Sequence, residues 1–447
     1  MSDEKRREVD RRGFLTISGA VIGGIAAGTS VTVAESTERF LVDTGNIDRS
    51  ELESAVDEII HDIEAIDIAV VRGAESDLEG VTEEFEPDTV YELDLPAQRT
   101  EAPEVGDADV SSTSIDALFG PAQWDKQVQD IPEAHEITKG EGARVTILDT
   151  GIGTFFGDDV FHPDLSVNTD LSKNFTEDGG DAGDAGFHGT AVAGTVAAQG
   201  VGVLGTAPEA ELVSCRVFSG MGGAAFGDIV AAMNYSVDID ADVANMSLGA
   251  YPVPREGIGK FYGGVLNRTT ARANSNGTLL VVSAGNDSAD LQDDGSIVSL
   301  PNQAANTVSV SATSPAGFDP LFGTPPEEPA ETPASYTNYG TNVINVSAPG
   351  GDVREDGSLF DLVLTTAPPL NILLPYIYIS GTSFSAPQVA GAAALVRSVD
   401  PDASTKQVRA ILERNAVNAN ELSGDNSFHG RGFLDPVPSV KDASNAN

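Results

Sequence analysis

Three widely separated stretches each set one reactive residue among small neighbours. Val145-Thr-Ile-Leu-Asp-Thr-Gly-Ile152 is an apolar run that ends abruptly in Asp149 and a glycine turn. Phe187-His-Gly-Thr-Ala-Val-Ala-Gly194 puts His188 at the start of a small-residue helical run. Ser380-Gly-Thr-Ser-Phe-Ser-Ala-Pro-Gln-Val-Ala-Gly391 is a tight turn leading into an apolar helix, with Ser383 near the helix N-terminus, where free N–H groups and the dipole favour negative charge. Serine is a weak nucleophile without an adjacent base. Of the five histidines, His188 alone has the small-residue helix context; His61 falls in an expected N-terminal helix, and His135, His162 and His429 lack such surroundings. His188 is therefore the candidate general base, with Asp149 orienting the imidazole and stabilising its charged form. A fourth stretch, Val281-Val-Ser-Ala-Gly-Asn286, offers the Asn286 amide just after a strand, suited with the Ser383 N–H to holding an oxyanion. Taken singly, Ser383 reads as a helix cap and Asp149 as a turn residue. Together they describe acyl transfer.

The elements that must position these residues follow from the pattern. Apolar strands are expected at 144–148, 212–217, 243–246, 279–283, 307–311 and 343–347, with helices between them at 189–199, 227–237 and 257–276. Such alternation predicts an α/β fold, a parallel sheet sandwiched by helices, whose sites lie at strand C-termini. Upstream, strands at 39–42, 66–71 and 89–95 alternate with helices at 50–61 and 75–81, a β-α-β-α-β order that suggests a small ferredoxin-like α+β unit. The apolar run 370–379 before the Ser383 turn reads mostly as core, and the proline and acid segment 325–333 as an exposed loop.

Asp-Thr-Gly at 149–151, His-Gly-Thr at 188–190, Ser-Leu-Gly at 247–249, Ala-Gly-Asn at 284–286 and Gly-Thr-Ser at 381–383 occur in the order seen in subtilisin-like serine peptidases. Five such tripeptides between about Gln123 and Leu434 make the resemblance strong. It implies a subtilisin-like fold, polypeptide substrates and a preceding propeptide that assists folding and inhibits. It also implies a substrate strand paired with Ser247, Leu248 and Gly249 and with the glycine-rich Gly222 and Gly223. Phe226 would edge the pocket four residues upstream of the scissile bond. Ala284 and Gly285 would lead to the oxyanion site, and Ser299 would floor the primary pocket, making it shallower than glycine would. Three positions depart from the family pattern: Phe384 for the usual Met, Gln388 for the usual His, and Ala191 for the His after His-Gly-Thr. None carries a proton transfer. The chemistry requires no cofactor. Structural calcium is an open expectation: Asp164 is a candidate ligand although the following segment 199–203 is short, and the Asp178–Asp184 loop is a second candidate cation site or simply solvated acid.

The expected organisation is a targeting segment at 1–35, a propeptide at 36–96, a processing linker at 97–120, a catalytic domain at 121–440 and a polar tail at 441–447. Asp10-Arg-Arg-Gly-Phe-Leu15 resembles a twin-arginine export signal, which implies the twin-arginine machinery as a partner and a secreted product, with an uncleaved membrane anchor as the alternative. The new N-terminus after processing is expected between Glu101 and Gln123, and the enzyme is expected to be a monomer. The lone Cys215 sits in an apolar run and reads as a buried small hydrophobe. No Gly-x-Ser-x-Gly occurs, against a lipase or esterase. A non-catalytic relic of the scaffold would be expected to have lost one of the four chemical residues, and all four are present.

Composition adds one more constraint. The chain has 69 Asp plus Glu against 25 Lys plus Arg, a formal charge of −44. Acid spread along the chain argues against nucleic-acid binding. With only seven lysines it suits a protein kept soluble at high ionic strength, where salt screens self-repulsion. Thermal melting should therefore shift upward between dilute buffer and multimolar potassium chloride; a flat or falling midpoint would contradict salt adaptation.

Overall fold

The computed structural model describes residues 34–91, 98–99, 115–153, 162–219, 223–256, 258–292, 295–315, 317–320, 326, 332–352, 358–368, 375–418 and 426–446. Nearly all of the expected targeting segment, most of the linker and of the 325–333 loop, and Gly222 lie outside the described residues.

The N-terminal unit runs β1 (Ala34–Asp43), α1 (Arg49–Ala55), β2 (Glu58–Ile63), β3 (Ile68–Arg72), α2 (Glu75–Leu78) and β4 (Phe85–Tyr91). Its strands form an antiparallel sheet in the order β2-β3-β1-β4. The unit is ferredoxin-like, but with a β-α-β-β-α-β order: the helix expected over 50–61 stops at Ala55, and His61 lies on a strand. The reason is visible in two adjacent isoleucines. Ile59 packs with Phe40, Val42 and Val71 under the unit's own helices, while Ile60 faces the opposite side with Leu41 and Val70. Serving two opposite faces with consecutive residues requires the period of a strand. The helix expected at 75–81 likewise ends at Leu78.

The larger unit continues with β5 (Gln98–Arg99), α3 (Trp124–Gln127), α4 (Ile131–His135), β6 (Arg144–Asp149), β7 (Lys173–Asn174), α5 (His188–Ala197), β8 (Glu211–Arg216), β9 (Ala224–Ala225), α6 (Phe226–Asp238) and β10 (Val243–Met246). There follow β11 (Ala250–Pro254), α7 (Ile258–Asn276), β12 (Leu279–Ser283), β13 (Ile297–Leu300), β14 (Thr307–Ser314), β15 (Thr332–Pro333), β16 (Val346–Pro349), β17 (Val363–Thr366) and β18 (Tyr376–Ile379). The chain closes with α8 (Thr382–Val399), α9 (Thr405–Asn415), β19 (Val417–Asn418), α10 (Asn426–His429), β20 (Gly432–Phe433) and α11 (Pro436–Ala446). The expected polar tail at 441–447 is thus largely the end of a helix. Val440 and Ala443 are buried, which explains why a polar-looking segment folds back on the core.

The main sheet has the order β19-β20-β16-β14-β12-β10-β6-β8-β7, and its pairs from β16 to β8 are parallel. Alternate residues feed two cores. Val145, Ile147 and Val281 join α5 and α8 on one face, while Leu148, Leu280 and Val282 join α6 and α7 on the other. Helix α8 is apolar all round and buried from Thr382 to Arg397, as a helix at the centre of a core must be. Cys215 lies in the second core, and burial pushes its thiol up to about 12, which makes it inert. Phe119 joins the core of the large unit and Ile115 is buried beside Gly120, so the last residues of the expected linker belong with that unit. No helix among the described residues is long and apolar enough to cross a membrane.

The two units share a polar interface beside α6. Asp88 of β4 accepts the Gly227 N–H at the first turn of α6 (2.9 Å) and pairs with Arg39 (2.7 Å). Arg39 also pairs with Glu177 and Asp228, and His61 Nε2 lies 2.8 Å from Asp228. From α7, the Tyr262 hydroxyl donates to Pro87 O (2.5 Å).

Candidate active site

Parallel pairing brings the ends of β6, β10 and β12 to one edge of the sheet, and with them Asp149, Ser247 and Asn286. Asp149 and His188 meet directly: His188 Nδ1 lies 2.9 and 3.0 Å from the two Asp149 oxygens, and both side chains are fully buried. Gly151, with φ 103°, sits where a Cβ would press on the Gly183 carbonyl, so only glycine lets the turn after β6 pack against that loop. His188 Nε2 is buried and has no hydrogen-bond partner. A buried nitrogen left so costs about 1–3 kcal/mol and requires a donor.

Ser383 stands in the first turn of α8, which Gly381 enters with φ 149°. Its neighbour Phe384 packs edge-on against the His188 ring, 5.5 Å between centroids. In this state the Ser383 hydroxyl donates to Ser247 O (3.3 Å) rather than to His188. The bond is reciprocated, since Ser247 Oγ donates to Ser383 O (2.8 Å). Pro387 explains the vacant carbonyl. Four residues beyond Ser383, it has no N–H to give back, so the Ser383 carbonyl is open to the Ser247 hydroxyl.

Asn286 is oriented by the residue before Ser383. Its Oδ1 accepts from the Thr382 N–H (3.0 Å) and the Thr382 hydroxyl (2.8 Å), which fixes the amide with its NH₂ directed elsewhere. Ala284 is buried, and Gly285, at φ 102°, lets the chain turn beside Asn338. Asn286, Ser383, Ser247, Leu248, Gly249, Ala284, Gly285 and Ser299 all line one cleft of about 270 Å³. Its far end is apolar, formed by Phe226, Ile229, Leu248 and Leu266 and closed by Tyr91 of β4. Tyr91 meets Phe226 edge-on, and Phe226 stacks on Tyr262 at 4.0 Å. Gly223 lies against the Tyr91 carbonyl. Tyr91, Tyr262, Ile229, Leu266 and Thr382 were not singled out in the sequence; only Thr382, adjacent to Ser383, carried a local signal.

The cation expectations meet a different donor set. Asp164 accepts the N–H groups of Val201 (2.5 Å), Gly202 (2.9 Å) and Val203 (3.2 Å) and the Tyr376 hydroxyl (2.8 Å). Both oxygens face hydrogen-bond donors, which does not fit a calcium ligand. In the second loop, Asp178 pairs with Arg216, whose guanidinium also donates to Asp181 O (3.0 Å). Among the described residues no group of three or more His, Cys, Asp or Glu is placed to hold a metal. Gln388, the departure on α8, joins α3 through Asp125 (2.8 Å) and the buried Lys126, a structural role away from the cleft.

The chain also has known relatives. Residues 140–432 match the subtilase family. The chain is 30% identical over 432 residues to an alkaline protease of Alkalihalobacillus alcalophilus, covering 94% of this chain and 97% of that one. It is 32% identical over 314 residues to subtilisin Savinase of Lederbergia lenta, covering 70% and 96%. Among solved structures, the epidermin leader peptide processing serine protease of Staphylococcus aureus superposes with a TM-score of 0.70 at 20% identity, over 91% of this chain and 98% of that one. A lanthipeptide protease superposes at 0.60 with 28% identity, over 78% and 99%. A buried Asp–His pair at the edge of a parallel sheet, a serine heading the central helix and these likenesses lead to one conclusion: the chain belongs to the subtilase family and is a serine endopeptidase.

Proposed function

We propose that Ser383 is the nucleophile, His188 the general base, Asp149 its orienting partner, and Asn286 with the Ser383 N–H the oxyanion donors. The observation that carries this reading is the Asp149–His188 bond, with Nε2 left buried and unpartnered beside the residue that follows Ser383. Rotation of the Ser383 hydroxyl from Ser247 O toward Nε2 would satisfy that nitrogen and activate the oxygen. The oxygen attacks the scissile carbonyl as His188 takes its proton. Asn286 and the Ser383 N–H receive the charge on the carbonyl oxygen. Collapse gives an acyl-enzyme and an amine protonated by His188; water then reverses the sequence. The substrate backbone pairs with Gly223 and the 247–249 strand end, with apolar side chains entering the Phe226 end of the cleft.

The N-terminal unit is, on the same reading, an inhibitory propeptide. Strand β4 pairs antiparallel with β9 through Val90–Ala225 and Tyr91–Ala224, the edge a substrate strand would use, and Tyr91 lines the cleft. Strand β5 pairs with β18, which leads into the Ser383 turn. Both flanks of the stretch between Tyr91 and Gln98 are thus tied to strands that adjoin the site, and the new N-terminus is proposed downstream of them, between Glu101 and Gln123. Export by the twin-arginine route, adaptation to salt and a monomeric enzyme complete the proposal, supported by the signal-like segment and the −44 charge. The Asp164 loop is proposed to hold its shape without calcium, since its donors are the protein's own.

Ser383→Ala or His188→Ala should lower peptidase turnover by several orders of magnitude, and Asn286→Ala by roughly 10²–10³-fold. Near-normal activity in folded Ser383→Ala would end the assignment. Processing in wild type should proceed at a rate independent of dilution, because the tethered strand meets Ser383 at high effective concentration. Ser383→Ala should accumulate uncut. Normal maturation of that variant in a protease-free preparation would show that another enzyme makes the cut.

A further inference from the structure

Asp184 sits four residues before His188 and touches neither member of the Asp149–His188 pair. Its carboxylate nevertheless receives four hydrogen bonds from the two segments that carry them. Oδ1 accepts the Thr150 hydroxyl (2.7 Å) and the Gly186 N–H (2.9 Å). Oδ2 accepts the Thr190 N–H (3.0 Å) and the Thr190 hydroxyl. Each threonine spends its only hydroxyl proton on Asp184, so each hydroxyl oxygen turns its lone pairs outward. Those lone pairs are used in a crossed pattern. Thr150, next to Asp149, accepts the Gly189 N–H (2.8 Å) from the start of α5, while Thr190, on α5, accepts the Gly153 N–H (2.7 Å) from the turn after β6. The Thr150 N–H in turn donates to Asp149 Oδ1 (2.7 Å), one of the oxygens that faces His188.

We propose that Asp184 is a positioning residue that locks the Asp149 turn to the head of the His188 helix through Thr150 and Thr190, fixing the carboxylate that orients the base. The inference rests on the Asp149–His188–Ser383 reading above. Four donors converge on the two oxygens, and an ionised carboxylate, which only accepts, matches them. An asparagine at 184 presents an NH₂ group to two of these donors, so either the Gly186 or the Thr190 N–H loses its acceptor and the threonine hydroxyl beside it must turn its proton elsewhere. Small displacements of a catalytic pair reduce turnover without altering substrate contacts, and Asp184 does not line the cleft.

The test is steady-state kinetics on processed enzyme for Asp184→Asn, Thr150→Val and Thr150→Ser, beside Ser383→Ala whose N-terminal unit has been removed by an added protease. Asp184→Asn and Thr150→Val should lower kcat at least tenfold with KM within twofold of wild type, and Thr150→Ser, which keeps the hydroxyl, should restore kcat to within about threefold. If Asp184→Asn does not fold, the Thr150 pair decides the question. The proposal is overturned if Asp184→Asn folds and keeps its kcat, if Thr150→Val and Thr150→Ser behave alike, or if the loss appears in KM. Should Ser383→Ala remain active, the triad reading itself fails; should Ser383→Ala be inactive while Asp184→Asn and Thr150→Val are normal, only the role of Asp184 fails.

Discussion

A parallel sheet sends its strands out along one edge, and that constraint organises this enzyme. Strands β6, β10 and β12 are adjacent, so Asp149, Ser247 and Asn286 arrive together although nearly 140 residues separate the first from the last. The helices then supply what strands cannot: His188 at the head of α5 and Ser383 at the head of α8, both on the face where α5 and α8 pack together. Every chemical residue stands at an element's end, where backbone groups are unpaired and open to side chains and substrate.

Polar bonds at those ends convert a rough juxtaposition into a site. The Ser247–Ser383 pair joins the end of β10 to helix α8, using a carbonyl that Pro387 leaves open. Thr382 fixes Asn286, and Asp184 ties the two threonines behind the Asp149–His188 pair. The carboxylates of Asp164 and Asp178 are engaged by backbone N–H groups, a tyrosine and an arginine. The acid-rich chain thus spends part of its charge on internal hydrogen bonding.

The sheet, its helices and the four chemical residues were legible because each is marked locally, by an apolar run that stops at a small-residue turn. Strand β2 was not, because Ile59 and Ile60 continue the helical spacing of Leu52, Ala55 and Val56 while serving opposite faces of a sheet. The terminal helix α11 was missed because its buried residues, Val440 and Ala443, are few among polar neighbours. Tyr91 and Tyr262 gain meaning only when the N-terminal unit docks, a contact that no spacing records. Asp184 looked like one more acid in a solvated loop. Its value comes from Thr150 and Thr190, which lie on separate segments until the fold joins them.

The central claim is that Ser383 is the residue activated by the buried Asp149–His188 pair. It is tested most directly by labelling the active enzyme with a fluorophosphonate and mapping the adduct by peptide mass spectrometry. The account predicts one phosphonyl group per chain, on Ser383, with labelling abolished in folded His188→Ala. An adduct on another residue, or an active enzyme that takes up no label, would contradict it.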